Sequence, residues 1–245
     1  MPGYLRLSRT HSYSLLFAIP LLLLYEAGAA YLAQGEGAAL RNGADVLLRT
    51  LLAAGGVQGT LAFTSLLLAA ALLLILWERR QRTVPLRAAV FAGMTLESIA
   101  YALLFGAVVG AATQWVLTGV GARLAADGAP FTALPFSQGV VLSLGAGIYE
   151  ELVFRVLLVG GLAGVFRASG LAASQAGGFA AVLAALLFSA FHYVGPYGDP
   201  WEIASFLFRF LAGLVFSVLF LLRGFGITAW THALYDIFFL LARGL

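Results

Sequence analysis

Seven long apolar runs dominate the sequence and exclude an ordinary water-soluble fold. A transmembrane helix needs about 20 consecutive apolar residues, so seven such helices account for about 140 residues of the 245 in the chain. The composition agrees, with 62% hydrophobic residues, 10% charged residues and a mean hydropathy of +0.97. A soluble domain is about 45–50% apolar and about 25% charged. The runs cover residues 13–33, 57–77, 88–118, 138–166, 176–194, 203–222 and 226–242.

Each run is predicted to be a helix, because lipid forces backbone polar groups to pair within their own segment. An additional helix at the membrane surface is predicted within residues 34–56, where charged residues lie among apolar ones. These charged residues are Glu36, Arg41, Asp45 and Arg49. We therefore expect an all-α fold, a polytopic membrane bundle of 7–8 transmembrane helices, with residues 1–245 forming one domain.

The arginines predict the orientation of the bundle. With a cytoplasmic N-terminus, eight arginines fall in cytoplasmic segments and four in outer segments, which matches the excess of positive charge in cytoplasmic loops. The four outer residues are Arg41, Arg49, Arg123 and Arg243. We expect the first run to be retained as a span, because Glu26 lies where cleaved leaders are usually uncharged. The Ala-, Leu- and Arg-rich composition without lysine is typical of GC-rich bacteria and indicates the inner (plasma) membrane.

Missing residue types exclude several chemistries. The chain has no cysteine, which excludes disulfides, a thiol nucleophile and thiolate metal ligands. All 14 basic residues are arginine, so a Schiff-base lysine is excluded as well. No basic stripe with interleaved aromatic residues indicates nucleic-acid binding, and no His-Glu-x-x-His motif indicates a zinc protease.

The fourth run contains three ionisable groups, which need a reason to lie in lipid. A charge at the bilayer centre costs about 2.5–3.5 kcal/mol on insertion scales. Glu151 and Arg155 have the i,i+4 spacing and order of a favourable helical ion pair. Glu150 is rotated by about 100° from Glu151 and has no such partner. The spacing therefore predicts Glu150 as the reactive carboxylate and the Glu151–Arg155 pair as its support.

Two histidines lie in other apolar runs. His192 ends the fifth run, one helical turn after Phe188, whose ring is placed to wall a pocket for it. His232 lies in the last run with Asp236 at i+4, so the carboxylate is expected to orient the imidazole and fix its tautomer. Acids and histidines on separate membrane helices favour a functional site over isolated structural charges.

The order and spacing of these residues resemble the CAAX protease and bacteriocin-processing (CPBP) family of intramembrane proteases. The resemblance covers roughly residues 138–240 and rests on three motifs in hydrophobic segments. They are Glu-Glu-x-x-x-Arg, Phe-x-x-x-His and His-x-x-x-Asn/Asp, which here read Glu150-Glu151…Arg155, Phe188…His192 and His232…Asp236.

The resemblance implies a helical bundle with an intramembrane polar cavity. It implies that Glu150 and His192 activate a water molecule for attack on a peptide carbonyl, while Glu151 and Arg155 hold the site in shape. His232 and the residue at position 236 would then stabilise the oxyanion. We expect the partners to be membrane lipid and a protein substrate with a membrane-proximal C-terminal segment, cleaved near its membrane anchor or C-terminal tail in sorting-tail or CAAX-like processing.

Position 236 departs from the family pattern, because many members carry Asn where this chain has Asp. An ionised Asp cannot donate a hydrogen bond to an oxyanion, so we favour a role for Asp236 in orienting His232. Aromatic residues beside the motifs are expected to line the substrate pocket: Phe188, Tyr149 and Phe154.

Two alternatives remain open on the sequence. Glu150, His192 and His232 have the donor atoms of a three-ligand metal site with an open position for water. We favour a site without a cofactor, because a cation would compete with the Arg155 guanidinium. In the second alternative the chain is not an enzyme, and the buried charges line a transport path or bind a partner helix. Three further charges predict an ion pair or a second polar cluster: Glu26, Glu97 and Arg209.

Overall fold

A computed structural model describes residues 3–34, 40–119, 134–195 and 198–244. These parts of the chain form helices and no strand. Glu36 and Arg123 lie outside the described residues. The helices are α1 (Tyr4–Ser8), α2 (His11–Leu32), α3 (Gly43–Ala54), α4 (Thr60–Gln81), α5 (Ala88–Gly119), α6 (Phe136–Gly145), α7 (Gly161–Ala168), α8 (Ala173–Phe191), α9 (Ile203–Arg223) and α10 (Phe225–Gly244).

The helix that carries the two glutamates is continuous but not uniformly α-helical. Between α6 and α7 it passes through two π-helical segments, Ala146–Glu150 and Leu152–Gly160. Glu151, which joins them, keeps helical backbone angles, so residues 136–168 form one helix, here called the motif helix. π-Helical turns are rare and occur frequently at functional sites, because they change the direction in which side chains leave the helix.

The prediction of an all-α membrane bundle is confirmed. Among the described residues, α2, α4, α5, α8, α9 and α10 are each long and apolar enough to cross a membrane. The motif helix adds a seventh apolar helix at the place of the fourth run, and α3 forms within the segment predicted to lie at the membrane surface. Apolar side chains on the outer faces, such as Leu61 and Trp115, are highly exposed, as expected of a surface that meets lipid.

Helix α10 lies at the centre of the bundle and packs against α2, α5, α9 and the motif helix. A glycine makes its closest approach possible. A Cβ atom added at Gly147 would lie 2.5 Å from the carbonyl oxygen of Ala229 and 2.6 Å from the Cβ atom of Ala233. The absence of a side chain at 147 therefore lets the backbones approach, one helical turn before Glu151 and at the level of His232.

The three remaining charges do not pair with one another, but each takes part in an ion pair with other residues. Glu26 pairs with Arg41 and Arg49 of the α3 region, and Arg209 pairs with Asp199.

The third charge, Glu97, pairs with Arg223 and accepts a hydrogen bond from the Tyr4 hydroxyl. Burial and the neighbouring Glu97 carboxylate raise the pKa of Tyr4 to about 12. Tyr4 therefore remains a proton donor to Glu97 at physiological pH.

Replacing Gly147 by alanine should destabilise the bundle. The added methyl group overlaps the α10 backbone, and overpacking of this kind costs about 1–3 kcal/mol. The matched control is Gly161→Ala in the same helix, where nothing lies within 4 Å of the added atom. The control should be neutral or stabilising by up to about 1 kcal/mol, because alanine is the better helix former. Denaturant titration of both variants in detergent measures the difference, and equal stability would contradict the close-approach argument.

Candidate active site

The two adjacent glutamates have different surroundings. Glu151 is completely buried, whereas Glu150 keeps 7% of its surface exposed. The Glu151 carboxylate lies 3.1 Å from the Arg155 guanidinium, the i,i+4 pair that the spacing predicted. Glu150 is not free of partners, because the side-chain amide of Asn42 donates a hydrogen bond to its Oε1 atom at 2.8 Å.

Aromatic rings hold Arg155 in the interior. Its guanidinium lies 4.5 Å from the ring centroid of Phe188 and 5.3 Å from that of Phe216. Only 1% of the residue is exposed, so its charge depends on these ring faces and on Glu151 for stabilisation. The Arg155–Glu151 pair is therefore a fixed element of the interior and does not reach open space.

Glu151, and not Asp236, is the close partner of the His232 ring. The Nδ1 atom of His232 lies 2.7 Å from Glu151 Oε1, whereas Asp236 Oδ2 lies 3.6 Å from Nε2. Glu151 is therefore the closer of the two carboxylates, and orientation of the ring by Asp236 stays a prediction. The close approach of α10 at Gly147 brings Glu151 against the ring, and Asp236 stays partly exposed at 23% of its side chain.

The second imidazole is also fixed through Nδ1. His192 follows the last residue of α8, and its Nδ1 atom lies 2.8 Å from the carbonyl oxygen of Phe188. Since a carbonyl oxygen only accepts, Nδ1 carries the hydrogen, and Nε2 is left for other partners. Phe188 packs edge-on against both imidazoles, with centroid distances of 4.9 Å to His192 and 6.3 Å to His232.

These groups converge around Glu150. Its carboxylate interacts electrostatically with His192, His232 and Arg155, which come from three different parts of the fold. In the part of the chain that the structure describes, no direct hydrogen bond joins Glu150 to either imidazole. The arrangement brings together a buried carboxylate, two imidazoles and a buried ion pair.

Of the three predicted pocket aromatics, Tyr149 lies elsewhere. Its hydroxyl donates to Glu26 at 2.6 Å, and its ring packs against Tyr25 and Phe63. Adjacent side chains on a helix point in different directions, and that of Tyr149 points toward Glu26 and Tyr25 of α2. Phe154 packs edge-on against Phe188, with 5.2 Å between the ring centroids, and helps to fix the position of that ring.

Sequence reasoning missed Asn42. It lies within the segment 34–56 that was predicted to lie at the membrane surface, and its side chain caps α3 by accepting from the Ala44 N–H. An Asn before a helical run is a recognisable N-cap signal, but nothing in the sequence indicates its contact with Glu150, which lies 108 positions further along the chain.

The donor geometry of the described residues bears on the metal alternative. Among the described residues, no group of three or more His, Asp or Glu side chains is arranged to hold one. Glu150 accepts an N–H at one oxygen, and the His232 Nδ1 atom faces Glu151. The Arg155 charge adds a cation to the same surroundings, so we derive no step through a metal.

The comparison with known families agrees with the motifs. The family model described as Type II CAAX prenyl endopeptidase Rce1-like matches residues 132–238, a segment that contains all three motifs. The resemblance to the CPBP family is thereby confirmed, and the match supports a CAAX-type protease of the membrane. No curated protein and no solved structure matches the chain.

Removing the Arg155 charge should strongly destabilise the fold. Arg155→Met keeps most of the side-chain volume but leaves the Glu151 carboxylate buried without its guanidinium partner, which costs about 3–5 kcal/mol. The free energy of unfolding in detergent measures this loss. Arg167→Ala is the control, since Arg167 is exposed at the end of α7 and its removal should change stability little. Wild-type stability of Arg155→Met would show that the pair is not needed for folding.

Proposed function

We propose that the protein is an intramembrane endopeptidase in which Glu150 and His192 activate a water molecule. The observation that carries the proposal is that His192 and His232 pack against the same Phe188 ring in an apolar bundle, with Glu150 of the motif helix close enough to interact with both. Such a convergence of ionisable groups is costly in lipid and is typical of a functional site. The family match adds the reaction class, which is hydrolysis of a peptide bond.

Glu150 is the better placed base of the two carboxylates. Both glutamates are buried, but Glu151 is completely enclosed and contacts Arg155 and His232, whereas Glu150 is bonded at Oε1 to the neutral Asn42 amide. With Oε1 held by Asn42, Oε2 is available to accept a proton from water. His192 offers Nε2 as the second anchor for that water. The water oxygen then attacks the carbonyl carbon, and the proton taken by Glu150 passes to the leaving amine.

His232 is the candidate oxyanion donor. Glu151 fixes Nδ1, so Nε2 is the nitrogen that can face the substrate carbonyl. A protonated ring donates Nε2–H to the oxyanion, and the carboxylates of Glu151 and Asp236 on either side favour this charged form. Asp236 would thus act indirectly, by favouring the charged form of His232. An Asn at this position would instead donate its own amide hydrogen to the oxyanion.

The position of the site along the helices favours entry from one side of the membrane. His192 follows the end of α8, α9 begins after the same loop, and Asn42 follows the end of α2. With a cytoplasmic N-terminus, alternation of the spans puts these ends on the extracytoplasmic side. We therefore propose cleavage near the membrane anchor of an exported protein, such as removal of a C-terminal sorting tail, with Phe188 lining the pocket.

Glu150→Gln and His192→Ala should each abolish processing without loss of the folded protein. A general base or acid contributes about 10²–10⁴-fold to the rate. Comparing protein C-termini in cells that express wild type or Glu150→Gln identifies the substrate, and a peptide spanning the mapped site then gives the rates. Glu202→Gln is the matched control, because Glu202 is exposed beside the same loop. Full processing by both site variants would overturn the proposal.

Asp236→Asn should retain cleavage but change its pH dependence. Loss of the negative charge lets His232 lose its proton at lower pH, so the alkaline limb of the pH–rate profile should move to lower pH. The added amide is itself a donor, which should keep the maximal rate within about 10-fold of wild type, a loss of about 1.4 kcal/mol at most. The rate is measured on the mapped peptide, and an unchanged alkaline limb would contradict the role proposed for Asp236.

A further inference from the structure

We infer that Asn42 is a positioning residue for the reactive carboxylate of Glu150. This inference rests on the proposed function. Its side-chain amide donates to Glu150 Oε1 at 2.8 Å, and this fixes one oxygen so that the other is presented to the water and to His192. Asn42 lies outside the segment 132–238 that matches the family model, so the N-terminal part of the chain completes the site.

The direction of the Asn42 amide is determined by its second contact. Its Oδ1 atom accepts a hydrogen bond from the Ala44 N–H at 2.8 Å and caps α3. The NH₂ group must therefore point the other way, toward Glu150. The residue is only 7% exposed, so water does not readily replace this donor.

A chain of hydrogen bonds fixes the backbone of Asn42. Its backbone N–H donates to the Tyr25 hydroxyl at 3.1 Å, and that hydroxyl donates to Asp45 at 2.8 Å. Asp45 is fully buried and paired with both Arg41 and Arg49. The start of α3 is thus attached to α2 by charge-assisted contacts, which are stronger than neutral ones.

The motif helix accommodates this attachment through a glycine. A Cβ atom at Gly145 would lie 2.5 Å from the Tyr25 ring and 2.8 Å from the Cβ atom of Asn42. The missing side chain lets α2 and the start of α3 lie directly against the π-helical segment that ends at Glu150. The contact is therefore built into the packing of three elements.

A neutral donor at this place has a definite chemical effect. Burial disfavours the charged form of a carboxyl group, and a hydrogen bond to the charged form opposes that effect. The other groups that act on Glu150 are Arg155, His192, His232 and, on α10, Asp236. Arg155 is engaged by Glu151, so the direct hydrogen bond that orients the Glu150 carboxylate comes from Asn42.

Two substitutions separate this role from helix capping. Serine is also a good N-cap but is too short to reach Glu150, so Asn42→Ser keeps the cap and removes the donor. Asn42→Asp keeps the cap and places a like charge beside Glu150. Thr10→Ala is the control, because Thr10 caps α2 and is not bonded to Glu150.

With the peptide that spans the mapped cleavage site, Asn42→Ser should lower kcat by about 10- to 100-fold, as expected for loss of a hydrogen bond to a charged group. KM should change by less than about threefold, since the substrate is not bound through Asn42. The acid limb of the pH–rate profile should move to higher pH, and further for Asn42→Asp. Thr10→Ala should lower thermal stability and leave the profile unchanged.

A second readout needs no substrate. Infrared titration of the full chain in detergent follows the Glu150 carboxyl band, which is assigned by its loss in Glu150→Gln. The band should show protonation at higher pH in Asn42→Ser than in wild type. Wild-type kcat and titration in Asn42→Ser, with Glu150→Gln inactive, would overturn this inference and leave the proposed function intact. Full processing by Glu150→Gln would overturn the proposed function, and the infrared titration would then decide the Asn42–Glu150 contact by itself.

Discussion

The rest of the site depends on one buried carboxylate, that of Glu151. It is fully enclosed and contacts both the Arg155 guanidinium and the His232 imidazole. An isolated charge in such surroundings is too costly to persist, so the two partners must be present together. This requirement fixes the register of α10 against the motif helix and determines which nitrogen of His232 faces Glu151.

Lipid imposes the same requirement on the other charges of the bundle. Water cannot solvate a polar group in the hydrocarbon region, so each charge takes a protein partner. Glu97 pairs with Arg223, and Glu26 pairs with two arginines of the α3 region. The second of these clusters has a consequence for the site, because it holds the start of α3, and thereby Asn42, against Glu150.

Much of the fold and part of the site followed from local patterns. The apolar runs predicted the membrane helices, and the i,i+4 spacing predicted the Glu151–Arg155 pair, because both are short-range properties of a helix. Asp236 was predicted as the orienting partner of His232 for the same reason, and the structure places its carboxylate 3.6 Å from the ring. A tertiary contact from Glu151 is closer than the local one. Tyr149 gives a similar result, because its hydroxyl donates to Glu26 of α2 although its neighbour in the sequence is Glu150.

The sequence by itself determined that the chain is a helical membrane protein, and it predicted which side chains are candidates for its chemistry. It did so because the lipid bilayer requires long apolar helices and makes any charge within them costly, so both features can be recognised in the sequence. Only the tertiary structure decided which partner each charge takes. Asn42 and Glu150 are 108 positions apart, and their contact depends on the packing of α2, α3 and the motif helix at Gly145, which no local pattern in the sequence specifies.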